Sequence, residues 1–324
     1  VLDKQSTEKL KGIAILLVVF GHLFVTKFFN IANPNVKYLG AQGVALFLIL
    51  SGYGLTQSFL KKGIDRSFLV RRGKTVLLPY FLVTLIWIVL DYVFGTVYPF
   101  KTEVLALIGF DFSGSLDATM WYIAYILIWY ILFYITFRLP LPQLLRVVLL
   151  FGFAYLFRYH SKFSLTEQVH WEWGLHAFMF PLGVTWAILT SKFQNARWLL
   201  YPTVVLGFGG LVVYMLNVKN NDLGLGPYMV SNFGFALALI ALVLVFQALR
   251  IHFPFLEFIG SISYEIYLFE AVLMYKYSLL YLLPNKGVSL LLYFSGLILL
   301  SWGLRHVVSF KGWNMRTLSK GQEG

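Results

Sequence analysis

A histidine lies inside the first long apolar run of the chain. Residues 10–29 read L-K-G-I-A-I-L-L-V-V-F-G-H-L-F-V-T-K-F-F, with His22 directly behind Gly21. A neutral imidazole can take up and return a proton near neutral pH, which suits it to general-base work. The chain has no cysteine, so neither a thiol nucleophile nor a disulfide framework is available. Two carboxylates, Glu265 and Glu270, sit in a later apolar run. Ionisable groups in such runs are costly unless they face protein or water, so each is a functional candidate. Five residues apart on a helix, the two glutamates fall on different faces. One is expected to orient His22 or a substrate hydroxyl, and the other to be interfacial. A packing role for His22 competes with the catalytic one.

The densest basic stretch is residues 61–74, K-K-G-I-D-R-S-F-L-V-R-R-G-K, expected as a loop with Gly63 and Asp65 in a turn. Membrane topology and lipid anchoring explain such a cluster. An anion site for a phosphorylated donor explains it equally well, because arginine forks match phosphate oxygens. Residues 158–173, R-Y-H-S-K-F-S-L-T-E-Q-V-H-W-E-W, are expected as a polar outer loop, either a sugar-stacking surface or an aromatic belt. His160, His170 and His176 have no compact metal-ligand spacing, and no metal is expected.

The elements that must hold these residues follow from composition. The 324 residues are 59% hydrophobic and 12% charged, and the mean hydropathy is +0.75. A soluble domain carries about 25% charged residues, so most of these side chains do not meet water. Ten apolar runs are expected to cross a membrane as helices: residues 10–29, 39–60, 75–94, 120–137, 144–157, 174–190, 198–216, 228–249, 258–283 and 288–308. Residues 100–119 are expected as an outer loop carrying a short interfacial or re-entrant helix. Residues 217–226 are expected as a flexible outer turn. The first run has the basic start of a signal peptide but no small-residue cleavage site, and is expected to be retained as the first helix.

Placing the N-terminus in the cytoplasm puts 18 of the 26 Lys and Arg on that side, so both termini are expected there. The net charge of +12 is spread between apolar runs, which points to anionic headgroups and an anionic ligand rather than nucleic acid. The expected organisation is one transmembrane domain over residues 1–310 and a short cytoplasmic tail, 311–324, that frays.

Five elements, in order, resemble the membrane-bound acyltransferase-3 family. They are Glu8-Lys-Leu-Lys11-Gly12-Ile-Ala14 followed by Gly21-His22; Gly43-Val-Ala-Leu-Phe47-Leu-Ile-Leu-Ser51-Gly52-Tyr53; Arg71-Arg72-Gly-Lys74 followed by Pro79-Tyr80; Trp121-Tyr122-Ile123; and Gly260-Ser-Ile-Ser263-Tyr264-Glu-Ile-Tyr267-Leu268. The chain departs from the family pattern in four ways. Glu8 and Lys11 stand for an aspartate and an arginine. The second arginine before Pro79 falls on Val76. Glu270 stands where the family has a histidine. No hydrolase-like domain follows, so the chain is expected to act alone or with a separate envelope-biosynthesis partner.

The resemblance implies a multi-pass O-acyltransferase of the bacterial cytoplasmic membrane. It would move an acyl group, most simply acetyl from acetyl-CoA, onto a hydroxyl of a cell-envelope polysaccharide or lipid-linked saccharide. His22 becomes the expected base. Glu270 is the second expected catalytic residue because it fills the family's histidine position. Lys11, Arg71, Arg72 and Lys74 become the expected contacts for the donor's phosphates. His22 stands twelve residues beyond Leu10, or ~18 Å at 1.5 Å per residue, a depth a pantetheine arm spans. Ser51, Tyr53, Ser263 and Tyr264 are expected to line the route or to pack helices. A transporter or flippase of an anionic or saccharide substrate, with His22 as proton relay, is the alternative that the residues leave open.

Overall fold

A computed structural model describes residues 2–29, 38–160, 167–192, 200–218 and 225–320. Among these, every regular element is helical. A backbone in lipid has no water to bond, so each long apolar run closes its own hydrogen bonds as helix. The helices are α1 (Lys4–Val25), α2 (Leu39–Lys62), α3 (Phe68–Val93), α4 (Phe100–Leu107), α5 (Trp121–Arg138), α6 (Gln143–His160), α7 (Glu167–His176), α8 (Met179–Lys192), α9 (Leu200–Val218), α10 (Leu225–Ala248), α11 (Pro254–Ser261), α12 (Ser263–Ala271) and α13 (Lys286–Lys320). A π-helical turn, Val272–Lys276, continues α12.

Helix occupies each of the ten expected runs, though residues 198 and 199 lie outside the described residues. Among the described residues, six helices are long and apolar enough to cross a membrane, and a seventh is reached if α11 and α12 with its π turn form one broken span. The protein is thus an all-α, multi-span membrane protein with six or seven long apolar helices among its described residues, beside the ten expected runs. The ninth run breaks at Ile262. The first run misses the measure because Glu8, Lys9 and Lys11 stand inside its helix.

Several boundaries differ from expectation for local reasons. Asp3 caps α1 by accepting the Ser6 amide at 2.7 Å, so that helix starts well before Leu10. Only residues 63–67 separate α2 from α3, with Gly63 at φ +69° making the turn. Arg71, Arg72 and Lys74 therefore lie on the first turns of α3 rather than in a loop. Pro79 stands inside α3, not near its start. Proline offers no N–H to the carbonyl four residues earlier. Beside this break, the Tyr264 hydroxyl donates to the Val76 carbonyl at 2.7 Å. Residues 158–173 are not one loop: α6 runs through His160 and α7 begins at Glu167. Residues 219–224, the centre of the expected outer turn, lie outside the described residues. The backbone of α13 is helical through Lys320, across most of the expected tail.

The chain forms two compact units. The first comprises residues 1–70 and 121–261, and the second residues 71–120 and 262–324. In the first, glycines let helix backbones touch. A β-carbon on Gly12 would fall 2.2 Å from the Leu256 carbonyl oxygen of α11, and one on Gly260 would fall 1.9 Å from that of Glu8. Across α2 and α8, a β-carbon on Gly52 would fall 2.3 Å from the Phe180 carbonyl oxygen. Small residues drive such contacts in membranes because lipid tails offer helices no hydrophobic reason to associate. Around them packs an aromatic core in which Trp129 stacks on Phe180 at 5.1 Å and Phe133 on Phe137 at 4.1 Å.

The second unit buries charge. Asp91, 2% exposed, accepts from the Lys276 ammonium, the Tyr98 hydroxyl at 2.9 Å and the Tyr277 hydroxyl at 3.0 Å. Lys276 also donates to Tyr98 at 2.7 Å. Burial, together with the Asp91 carboxylate, holds the Tyr98 hydroxyl above the usual phenol range, which keeps it as a donor. The Tyr80 hydroxyl donates to the Ala106 carbonyl and that of Tyr267 to the Thr119 carbonyl, fastening residues 106 and 119 to the unit.

Two stability outcomes follow. Gly260→Ala should lower the melting temperature in detergent by an amount equivalent to about 1–3 kcal/mol, whereas Gly152→Ala, with open space around it, should hold or raise it. Lys276→Met should destabilise by a few kcal/mol because it strands the Asp91 charge, and adding Asp91→Asn should recover most of the loss. Both are read by thermal unfolding of the purified protein.

Candidate functional site

His22 lies in the last turn of α1, half-buried. Its position follows from the glycine before it. A β-carbon on Gly21 would fall 2.4 Å from the Gly40 amide nitrogen, so the end of α1 rests on the first turn of α2. The imidazole then stands beside Gly40: a β-carbon there would lie 4.0 Å from both Cδ2 and Nε2 of His22. One turn further along, a β-carbon on Gly43 would fall 2.4 Å from the Ala14 carbonyl oxygen, which closes the same crossing.

The short helix α7 supplies the other groups. His176 is fully buried, with Nδ1 2.8 Å from the Glu172 carbonyl oxygen and Nε2 3.0 Å from the Ala41 carbonyl oxygen. The ring thus ties α7 to α2 at the residue after Gly40. Trp121 stacks against it at 5.7 Å. The Glu172 carboxyl, one turn before His176, has an oxygen 3.8 Å from its Nδ1. Tyr228 of α10 packs on Tyr38 at 4.4 Å and on Trp171 at 5.5 Å. The chemistry available at His22 is proton transfer by an imidazole.

The other expected residues are distributed as follows. Lys11 belongs to the first unit, and its Nζ lies 3.3 Å from Glu8 Oε1, so part of its charge is answered within α1. Arg71 and Lys74 are exposed and Arg72 half-buried, all in the second unit. Glu270 is also in the second unit and is fully buried, and its carbonyl accepts the Tyr293 hydroxyl at 3.0 Å. Glu265 is 2% exposed, and its carboxylate is 3.3 Å from Arg305. Tyr53 receives the Leu2 amide at 3.1 Å. Thirteen residues after Gly40, it is ~20 Å along α2 from His22. Ser51 shares a hydrogen bond with the Tyr122 hydroxyl. Lys9, counted with the basic flank, is buried instead, donating to the Ile251 carbonyl at 2.8 Å and lying 3.5 Å from Glu257. Among the described residues, no group of three or more His, Asp or Glu is placed to hold a metal ion.

The sequence profile of the acyltransferase-3 family, described as an acyltransferase domain, matches residues 8–306. The chain belongs to the acyltransferase-3 family. That span takes in His22, the basic start of α3, both late glutamates and α7. No curated protein and no solved structure matches the chain. As a member of this family the chain has the fold of a membrane acyltransferase, and a donor of the acyl-CoA type accords with it.

Reading residues 158–173 as loop and 174–190 as a separate run concealed the pairing of Glu172 with His176. Their signal was the spacing E-x-x-x-H, four residues apart, which places both on one face of a helix. His176→Phe should keep the ring volume but leave the Ala41 carbonyl without its donor. The expected cost is about 1–3 kcal/mol, read as a lower melting temperature.

Proposed function

We propose that this acyltransferase-3 protein is an integral-membrane O-acyltransferase of the bacterial cytoplasmic membrane. It transfers an acyl group, most simply acetyl from acetyl-CoA, to a hydroxyl of a cell-envelope polysaccharide or lipid-linked saccharide. The observation that carries the reading is His22, set by the Gly21–Gly40 contact beside the backbone of α2 within the family's matched span.

In the proposed reaction His22 takes the proton of the acceptor hydroxyl as its oxygen bonds to the thioester carbonyl carbon. The tetrahedral oxyanion collapses, the carbon–sulfur bond breaks, and the sulfur leaves with the proton returned by His22. The products are the ester and free CoA. Lys11, Arg71, Arg72 and Lys74 are the proposed contacts for donor phosphates, on a cytoplasmic side that also holds both termini. Lys11 precedes His22 by eleven residues, ~17 Å of helix rise, a distance suited to an extended pantetheine arm. Glu270 is the second proposed catalytic residue. Membrane lipids surround the protein, and a separate envelope-biosynthesis partner presents or receives the glycan.

Mass spectrometry of envelope glycans tests the reading. An acyl mass present with the wild-type gene should vanish in the deletion and in His22→Ala. In membranes, His22→Ala should lower acetyl-CoA-dependent thiol release by ~10²–10⁴-fold. The protein has no cysteine of its own to add to that signal. Unchanged glycan masses across the deletion would reject acyl transfer. Wild-type transfer in Glu270→Gln would remove Glu270 from the chemistry.

A further inference from the structure

The second unit carries basic groups at two places far apart in sequence, the start of α3 and Arg305 of α13. Contacts among three helices bring them to one end of that unit. The helices α3 and α12 meet twice. Near their starts, the Tyr264 hydroxyl donates to the Val76 carbonyl at 2.7 Å. Further along, the Lys276 ammonium and, at 3.0 Å, the Tyr277 hydroxyl meet Asp91. Val76 to Asp91 is ~22 Å of helix rise and Tyr264 to Lys276 ~18 Å, so the two helices run in the same direction. The last helix, α13, meets α12 in the opposite sense. Arg305 Nη1 is 3.3 Å from Glu265 Oε1, and three turns earlier in α13 the Tyr293 hydroxyl donates to the Glu270 carbonyl at 3.0 Å. Tyr264 and Glu265 are consecutive, so Arg305 stands at the level of Val76, one turn beyond Arg72. Arg71, Arg72, Lys74 and Arg305 therefore share one end of the unit, and Asp91 with Lys276 marks the other.

Membrane topology asks only that an arginine reach water. Arg305 is held more closely than that. Its side chain is 53% exposed, yet one of its nitrogens rests on a carboxylate whose side chain is 3% exposed. The other oxygen of that carboxylate, Glu265 Oε2, is buried with no hydrogen-bond partner among the described residues. A buried carboxylate answered on one oxygen costs stability. What it supplies is direction: a guanidinium anchored at one nitrogen keeps its planar fork in one orientation while the rest of the group meets solvent. A fork held in this way matches the oxygens of a phosphate. Three more cations at the same end draw an anion there.

We propose that Arg305, held by Glu265, is a phosphate-binding residue that joins Arg71, Arg72 and Lys74 in one anion face on the second unit. Glu265 is a positioning residue and does not touch the ligand. Phosphate is the chemistry shared by two ligands, an acyl-CoA donor and an anionic lipid headgroup. Assigning the face to the donor rests on the acyl transfer proposed above.

The test uses the full chain purified in detergent, as wild type, Arg305→Gln, Arg305→Lys, Lys101→Gln and the double variant Glu265→Gln with Arg305→Gln. Calorimetry reads the binding of CoA and of pantetheine, which has no phosphate. Thermal unfolding reads the stabilisation given by phosphatidylglycerol over phosphatidylcholine. Arg305→Gln should weaken CoA binding by about tenfold or more and leave pantetheine binding unchanged. Arg305→Lys keeps the charge without the fork and should recover only part of the loss. Lys101→Gln lies in α4, whose Glu103 accepts the Tyr92 hydroxyl at the far end of the unit, and should bind CoA as wild type does. Arg305→Gln also strands the Glu265 charge and should unfold at a lower temperature. The double variant should recover the melting temperature but not the CoA affinity.

CoA affinity restored in the double variant would overturn the proposal, because Arg305 would then serve only to answer Glu265. A folded Arg305→Gln with unchanged CoA binding and unchanged phosphatidylglycerol stabilisation would overturn it as well. Loss of the phosphatidylglycerol effect with CoA binding intact keeps the phosphate face and assigns it to a headgroup. A wild type that binds no CoA removes the donor reading, and the lipid measurement then decides Arg305 by itself.

Discussion

The contact between Gly21 and Gly40 is the constraint on which the candidate site depends. At 2.4 Å from a backbone nitrogen there is no room for a β-carbon, so any other residue at 21 would push α1 off α2. With glycine there, the ends of the two helices touch, and His22 is delivered beside the bare backbone at Gly40. A second helix, α7, reaches the same place through the His176 ring and the Ala41 carbonyl. The reactive candidate is thus held by backbone contacts on one side and by a buried imidazole on the other. Both are stiff arrangements, which suits a base that has to meet a hydroxyl within hydrogen-bond reach.

The same economy runs through both units. Several charges inside apolar helices are paired. Lys9 meets Glu257 and a carbonyl, Asp91 meets Lys276 and two tyrosines, and Glu265 meets Arg305. Such pairs stabilise little in themselves, but losing one partner leaves a stranded charge, so they specify how helices sit within each unit. Tyrosine hydroxyls serve a parallel purpose. Tyr80, Tyr125, Tyr264 and Tyr267 each donate to a backbone carbonyl. Three of these lie in the segments that resemble the family pattern, which gives those positions an architectural role.

Helix class, the apolar runs and the candidacy of His22 were legible in the sequence because each depends on local pattern. An apolar run of membrane length has to be helix whatever packs against it. An imidazole in such a run stands out by its cost. The five ordered motifs carried the family, which the profile match over residues 8–306 shows. Tertiary structure decided what spacing could not. It moved Arg71, Arg72 and Lys74 from a loop onto α3, because the turn at Gly63 is short and α3 begins at Phe68. It made Glu265 a buried ion-pair partner, because Arg305 lies forty residues away in sequence but 3.3 Å away in space. It also tied α7 to α2 through the His176 ring and the Ala41 carbonyl, 135 residues apart in sequence and 3.0 Å apart in space. Sequence can name a group that needs a partner, but the partner is chosen by packing, which acts between distant segments and leaves no local pattern.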